Sequence, residues 1–80
     1  MEHVTSVTPR DDFKLVLGFD TGETKVFDAT PYLEKGVFKR LRDPHLFKQA
    51  YVCGGTVCWP DDLDIAPETL YDRSTTIKDH

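Results

Sequence analysis

Apolar and polar residues alternate from Phe13 onward: Phe13, Leu15, Leu17 and Phe19 are separated by Lys14, Val16 and Gly18. A period of two puts one set on one face, so the stretch predicts a strand with a buried side. The β-branched segment from Val4 to Val7 predicts an opening strand, ended by Pro9 and the Arg10-Asp11-Asp12 turn. Asp20-Thr21-Gly22-Glu23 reads as a turn in which Gly22 supplies positive φ, and Thr24 to Asp28 returns as the antiparallel partner. For a loop of about two or four residues, Leu17 lies opposite Val26 and Phe19 opposite Thr24. That pairing adds Val26 to the apolar stripe.

The pattern changes after Ala29. Thr30-Pro31 reads as an N-cap followed by proline at the first helical position, with Tyr32 and Leu33 falling inward. Gly36 stops that turn, Val37, Phe38 and Leu41 follow, and Asp43-Pro44 repeats the cap-plus-proline signal. Leu46, Phe47 and Ala50 share one helical face, so a few brief helical turns are expected between residues 30 and 50. Tyr51-Val52-Cys53 and Thr56-Val57-Cys58-Trp59 form a second hairpin around Gly54-Gly55, ended by Pro60. Pro67 starts a last short helix carrying Leu70 and Tyr71. The elements predict one α+β domain over residues 1–80: a small antiparallel sheet, made of two hairpins and an N-terminal strand, with short helices packed on one face. Its ordered core is expected over about residues 3–73, with a polar tail over 74–80 that frays.

Composition narrows the class. Eighty residues bury only about 60–65% of their unfolded surface, so each large apolar side chain matters. An apolar fraction of 39% is nevertheless too high for a disordered segment. The net charge of −4 disfavours nucleic-acid binding through a broad basic face. No apolar run follows Met1-Glu2-His3 as a signal peptide would require, and Leu15-Val16-Leu17 is too short to cross a bilayer. A soluble cytoplasmic protein with no membrane association is expected.

Candidate chemistry is sparse. With Gly54-Gly55 as a two-residue loop, Cys53 pairs with Thr56 and Tyr51 with Cys58. The thiols then share a face on a diagonal of about 7–8 Å between α-carbons. A disulfide usually spans about 4.4–6.8 Å, so two ordinary strand thiols are expected. No second Cys or His pair completes a zinc site. In Asp61-Asp62-Leu63-Asp64 the spacing fails as a calcium loop, because Ala66 and Pro67 stand where a ligand and the turn glycine belong. His3, His45 and His80 lie too far apart in sequence for a helical zinc pair. No catalytic set, cofactor or metal is expected.

Two groups remain as a candidate interaction surface. Lys39, Arg40 and Arg42, with Lys35 and Lys48 nearby, are either a solvated rim around Val37, Phe38 and Leu41 or a docking patch for an acidic partner. Tyr51, Trp59 and Tyr71 are either packing residues or binding hot spots.

With these residues in view, the chain resembles a bacterial family known as domain of unknown function 2442. The resemblance runs from Val4 to Tyr71 through Leu15-x-Leu17-x-Phe19, Gly22-Glu23, Phe27-Asp28, Val37-Phe38, Leu41-Arg42-Asp43, Phe47 and Gly55-Thr56-Val57. Its most specific part is Trp59-Pro60, Asp64, Pro67-Glu68 and Leu70-Tyr71. Relatives often carry glycine or asparagine where this chain has Asp61-Asp62. The resemblance implies a small cytoplasmic α+β domain without catalytic residues to carry over. Related domains stand alone or precede a helix-turn-helix module, often encoded beside another small protein. No such module is read in the stretch up to His80, so no DNA-binding role is expected from one.

The leading expectation is therefore a non-enzymatic protein-interaction module, antitoxin-like, for a small protein encoded by a neighbouring gene. Self-pairing into a homodimer would equally satisfy an open sheet edge. The alternatives are a metal-dependent hydrolase using Asp61 to Asp64, with Asp28, and weak nucleic-acid binding through Lys35 to Lys48.

Overall fold

The computed structural model describes residues 2–78. Seven strands form two antiparallel sheets. The first has the order β1 (Val4–Pro9), β2 (Lys14–Phe19), β3 (Thr24–Asp28), β7 (Thr75–Lys78); the second has the order β4 (Tyr51–Cys53), β5 (Thr56–Trp59), β6 (Leu63–Ile65). Two 3-10 segments, Thr30–Tyr32 and Gly36–Arg42, and the helix α1 (Pro44–Phe47) join the sheets, while α2 (Pro67–Asp72) leads into β7. The architecture is α+β, as the element pattern predicts, but the strands divide between two sheets instead of one.

Each sheet also gains an outer strand where the residue pattern predicts loop or tail. Leu63-Asp64-Ile65 alternates inward, outward, inward, and Leu63 and Ile65 are buried. A period of two is present there, but over three residues it is too brief to stand out beside an acidic turn. Thr75–Lys78, expected to fray, instead pairs with β3 through Val26↔Thr75, Lys25↔Thr76 and Thr24↔Lys78. The remainder of that expected tail, Asp79 and His80, lies outside the described residues.

The first hairpin corrects the expected register. Phe19 N–H donates to the Glu23 carbonyl (3.0 Å) and Gly22 N–H to the Phe19 carbonyl (3.0 Å), which leaves Asp20, Thr21 and Gly22 as the loop. Gly22 sits at φ 90°, the left-handed position that such an odd-length loop requires. Leu17 therefore faces Lys25, not Val26, and Gly18, not Phe19, faces Thr24. A one-residue slip exchanges the two faces of a strand. Phe27 and Lys25 consequently join Leu15, Leu17 and Phe19 inside, and Val26 is only half-buried on the other side.

Lys25 is 7% exposed. Its Nζ donates to the Tyr71 carbonyl at 2.6 Å and lies 3.7 Å from the centroid of the Tyr71 ring. The Tyr71 hydroxyl donates to Glu23 Oε1 at 2.5 Å, and Thr76 Oγ1 reaches Glu23 Oε2 at 3.4 Å. A buried ammonium is tolerated because a carbonyl and an aromatic face replace its water. The same contacts fasten the end of α2 and the start of β7 to the first hairpin.

The helical connection is built largely as its sequence signals. Asp43 caps α1 by accepting from His45 N–H at 3.0 Å, with Pro44 at the first position. Thr30 departs from its expected capping role. The N-cap is Ala29, and Asp28 Oδ1 accepts both Thr30 N–H (3.0 Å) and Thr30 Oγ1–H (2.6 Å). Leu33, Leu41, Phe47 and Leu70 pack with the inward residues of both sheets in one core. Trp59 is fully buried there, its ring 6.0 Å from that of Phe47, and its Nε1–H donates to the Phe47 carbonyl at 2.9 Å.

The β5–β6 loop turns through Asp61 at φ 69° and Asp62 at φ 63°. Aspartate tolerates this left-handed region better than most residues, and glycine tolerates it best.

Two stability measurements follow. Lys25→Met, which keeps the buried stem and removes the charge, should cost about 2 kcal/mol in urea denaturation with an unchanged m-value; the outward-facing lysine of the slipped register would give almost no change. Asp62→Gly should raise stability by about 0.5–1 kcal/mol in the same assay.

Candidate interaction surface

In the second hairpin, Gly54 and Gly55 form a two-residue loop with φ of 54° and 79°, and the pairs are Tyr51↔Cys58, Val52↔Val57 and Cys53↔Thr56. This is the expected register. Gly55 is required twice over, because a β-carbon on it would stand 2.4 Å from the His3 ring. At this point Val4 N–H also donates to the Gly55 carbonyl (2.8 Å), tying the first sheet to the second hairpin.

The cysteines correct the expectation of two free thiols. Cys53 and Cys58 form a disulfide with their α-carbons 6.0 Å apart, and no register shift is needed. The expected diagonal is that of a flat ladder. Strands in a real sheet twist, and at this tight hairpin the twist brings one diagonal within bridging distance. The bridge spans a sequence separation of 5, so loop closure contributes about 2 kcal/mol in the chain-entropy account, roughly half the value for a hundred-residue loop.

Alternation then sorts the sheet into two faces. Val57, Trp59, Leu63 and Ile65 point into the core. Tyr51, Cys53, Cys58 and Asp64 lie in the opposite set, with Tyr51, Cys58 and Asp64 in one cross-strand row. Tyr51 is 50% exposed. A shallow cavity of about 180 Å³ is lined by Tyr51, Cys58, Trp59, Asp62, Leu63 and Asp64. Beside it, Arg40 Nη2 on the 3-10 helix bonds Asp61 Oδ2 at 2.5 Å, so the basic segment and the acidic loop meet at the rim.

The structure thus brings together Tyr51, Arg40 and the acidic loop, and separates the other candidate residues. Trp59 belongs to the core and offers no surface for a partner, because its indole N–H is satisfied by Phe47 and its ring is fully buried. Tyr71 is half-buried against Phe19 (ring centroids 5.1 Å) and Lys25, on the first sheet. Lys39 and Arg42 are exposed on the same 3-10 helix as Arg40, and Arg42 Nη1 lies 3.9 Å from Glu34 Oε1. Pairing of Arg40 and Arg42 with carboxylates thins the positive field that a phosphate backbone would need. Sequence reading missed the disulfide and the placement of Asp64. The signal for Asp64 was its period-two setting between Leu63 and Ile65.

Carboxylates elsewhere are engaged in structural bonds. The Tyr71 hydroxyl, with Thr21, holds Glu23 below its ordinary pKa, and the Thr30 hydroxyl does the same for Asp28. The backbone N–H of His3 lowers Asp20, and the bond from Lys48 lowers Asp11. His3 Nδ1 lies 3.1 Å from Asp20 Oδ2, while His45 serves α1 through its backbone. His80 lies outside the described residues. Among the described residues, no group of three or more His, Cys, Asp or Glu is placed to hold a metal, and no helix is long and apolar enough to cross a membrane.

No curated protein and no solved structure matches the chain. Residues 4–76 match the family described as "Protein of unknown function (DUF2442)", from the opening strand to the middle of β7. Nearly all the elements above fall inside that span, including both hairpins, the Trp59-Pro60 corner and the two aspartates of the left-handed turn. The chain belongs to the DUF2442 family.

Proposed function

We propose that this chain is a non-enzymatic protein-interaction module of the bacterial cytoplasm, antitoxin-like, which binds a small protein partner through the outward face of its second sheet. The observation that carries this reading is the exposed Tyr51 set among polar groups: Asp62 and Asp64 beside it, and the Arg40–Asp61 pair at the rim. An aromatic anchor with a charged border is the composition of a protein-binding patch. Cys58 and Asp64 continue the same outward row beside Tyr51. The face is rigid from behind, because every inward neighbour on β5 and β6 is buried in the core. A partner docking there would lose little entropy in ordering the surface.

The carboxylates supply the second line of support. Asp61 is paired with Arg40, and Asp28 accepts two bonds from Thr30. Two of the aspartates that a hydrolase would draw on are thus occupied in holding a loop and a 3-10 turn, which favours binding over catalysis.

The test is Tyr51→Ala against the partner that copurifies with the tagged protein from its own host, with affinity read by calorimetry. Truncation at a hot spot should weaken binding by more than ~1 kcal/mol while the melting temperature holds. Unchanged affinity with an intact fold removes this face from the interaction.

A further inference from the structure

The Cys53–Cys58 disulfide stands on the outward side of the second sheet, and the fold has an independent hold on β5, one of the two strands it joins. β5 is fixed by the buried Val57 and Trp59 and by its pairing with β6, and Thr56 Oγ1 donates to the Ile65 carbonyl. The bridge closes a short loop, so it adds only about half of what a hundred-residue loop closure would. It also sits on β4, whose Tyr51 and Val52 are both exposed. Cys58 also lines the cavity beside Tyr51.

From this placement we infer that Cys53–Cys58 is a reversible thiol–disulfide exchange site, reduced in the native fold by a dithiol and re-formed by a disulfide. Cys53 and Cys58 are half-buried and outside the core; bridges within reach of solvent are the more labile class, whereas those enclosed as staples resist exchange. In the reductive direction a thiolate of the dithiol attacks Cys58 Sγ in line with the bridge. The Cys53–Cys58 bond breaks, Cys53 leaves as thiolate, and a mixed disulfide joins the reagent to Cys58. The reagent's second thiolate then attacks its own sulfur in that mixed disulfide and expels the Cys58 thiolate. The protein gains two electrons and two protons, and the reagent departs as a disulfide. Reduction releases β4 from its covalent tie while β5 and β6 stay seated on the core. This exchange stands whether or not the face binds a protein partner.

The experiment uses the intact oxidised protein with dithiothreitol, quenched by N-ethylmaleimide and read by mass spectrometry, at a series of urea concentrations below the unfolding transition. Circular dichroism melts run in parallel. The expected result is that both cysteines become alkylated at a rate independent of urea, and that the reduced protein still melts cooperatively, about 8–16 °C lower. The double variant Cys53→Ala/Cys58→Ala should melt like the reduced protein. A reduction rate that climbs with urea would place the exchange in the unfolded chain and overturn the proposal. Loss of the cooperative melt on reduction would overturn it equally, since the bridge would then be a staple of the fold.

Discussion

The burial of Trp59 is the constraint on which the second sheet depends. Its ring fills the space between β5 and α1, and its indole N–H satisfies the Phe47 carbonyl inside the core. A buried tryptophan without that partner would carry an unsatisfied donor, at a cost of about 1–3 kcal/mol. Once Trp59 points inward, alternation sends Cys58 outward, and antiparallel pairing places Tyr51 and Asp64 beside it. The composition of the exposed face is thus a consequence of what the hidden face must contain. Phe13 extends the anchor, its ring standing 5.2 Å from Phe47 in an edge-on contact that ties the β1–β2 turn to the same cluster.

The first sheet is organised by a different device, the length of one loop. A three-residue turn at Asp20 to Gly22 places an ammonium among apolar side chains, where a loop of even length would place Val26. The structure answers with the Tyr71 carbonyl and ring, and thereby recruits α2 and β7. Lys25 connects the first hairpin to Tyr71 of α2, 46 residues further along the chain, and to the adjoining β7. The two devices meet where β1 begins, at the Val4–Gly55 hydrogen bond and the close approach of His3 to Gly55.

Much of this was legible in the residues themselves. Period-two alternation found β2, the Gly54-Gly55 pair fixed the register of the second hairpin, and Asp43-Pro44 marked the start of α1. What escaped reading depended on quantities that a local pattern does not carry. The slip at Lys25 turned on one residue of loop length, and no rule of apolar alternation favours burying a lysine. The disulfide turned on the twist of a short ribbon, a three-dimensional property that a flat ladder misjudges by an ångström or more. β7 lacked an apolar stripe and is a strand because β3 offers it an edge. For the candidate surface, Tyr51 and Arg40 were singled out by residue type, whereas the large apolar ring of Trp59 is buried and its N–H is satisfied there by the Phe47 carbonyl.

The most direct measurement of this account is hydrogen exchange at the Trp59 indole N–H, followed by NMR. A bond to the Phe47 carbonyl in a closed core predicts exchange only through global unfolding, at the slow rate of the best-protected strand amides. Exchange of the indole proton far faster than those amides would show that Trp59 is open to water, and would contradict the arrangement from which both faces of the second sheet are derived.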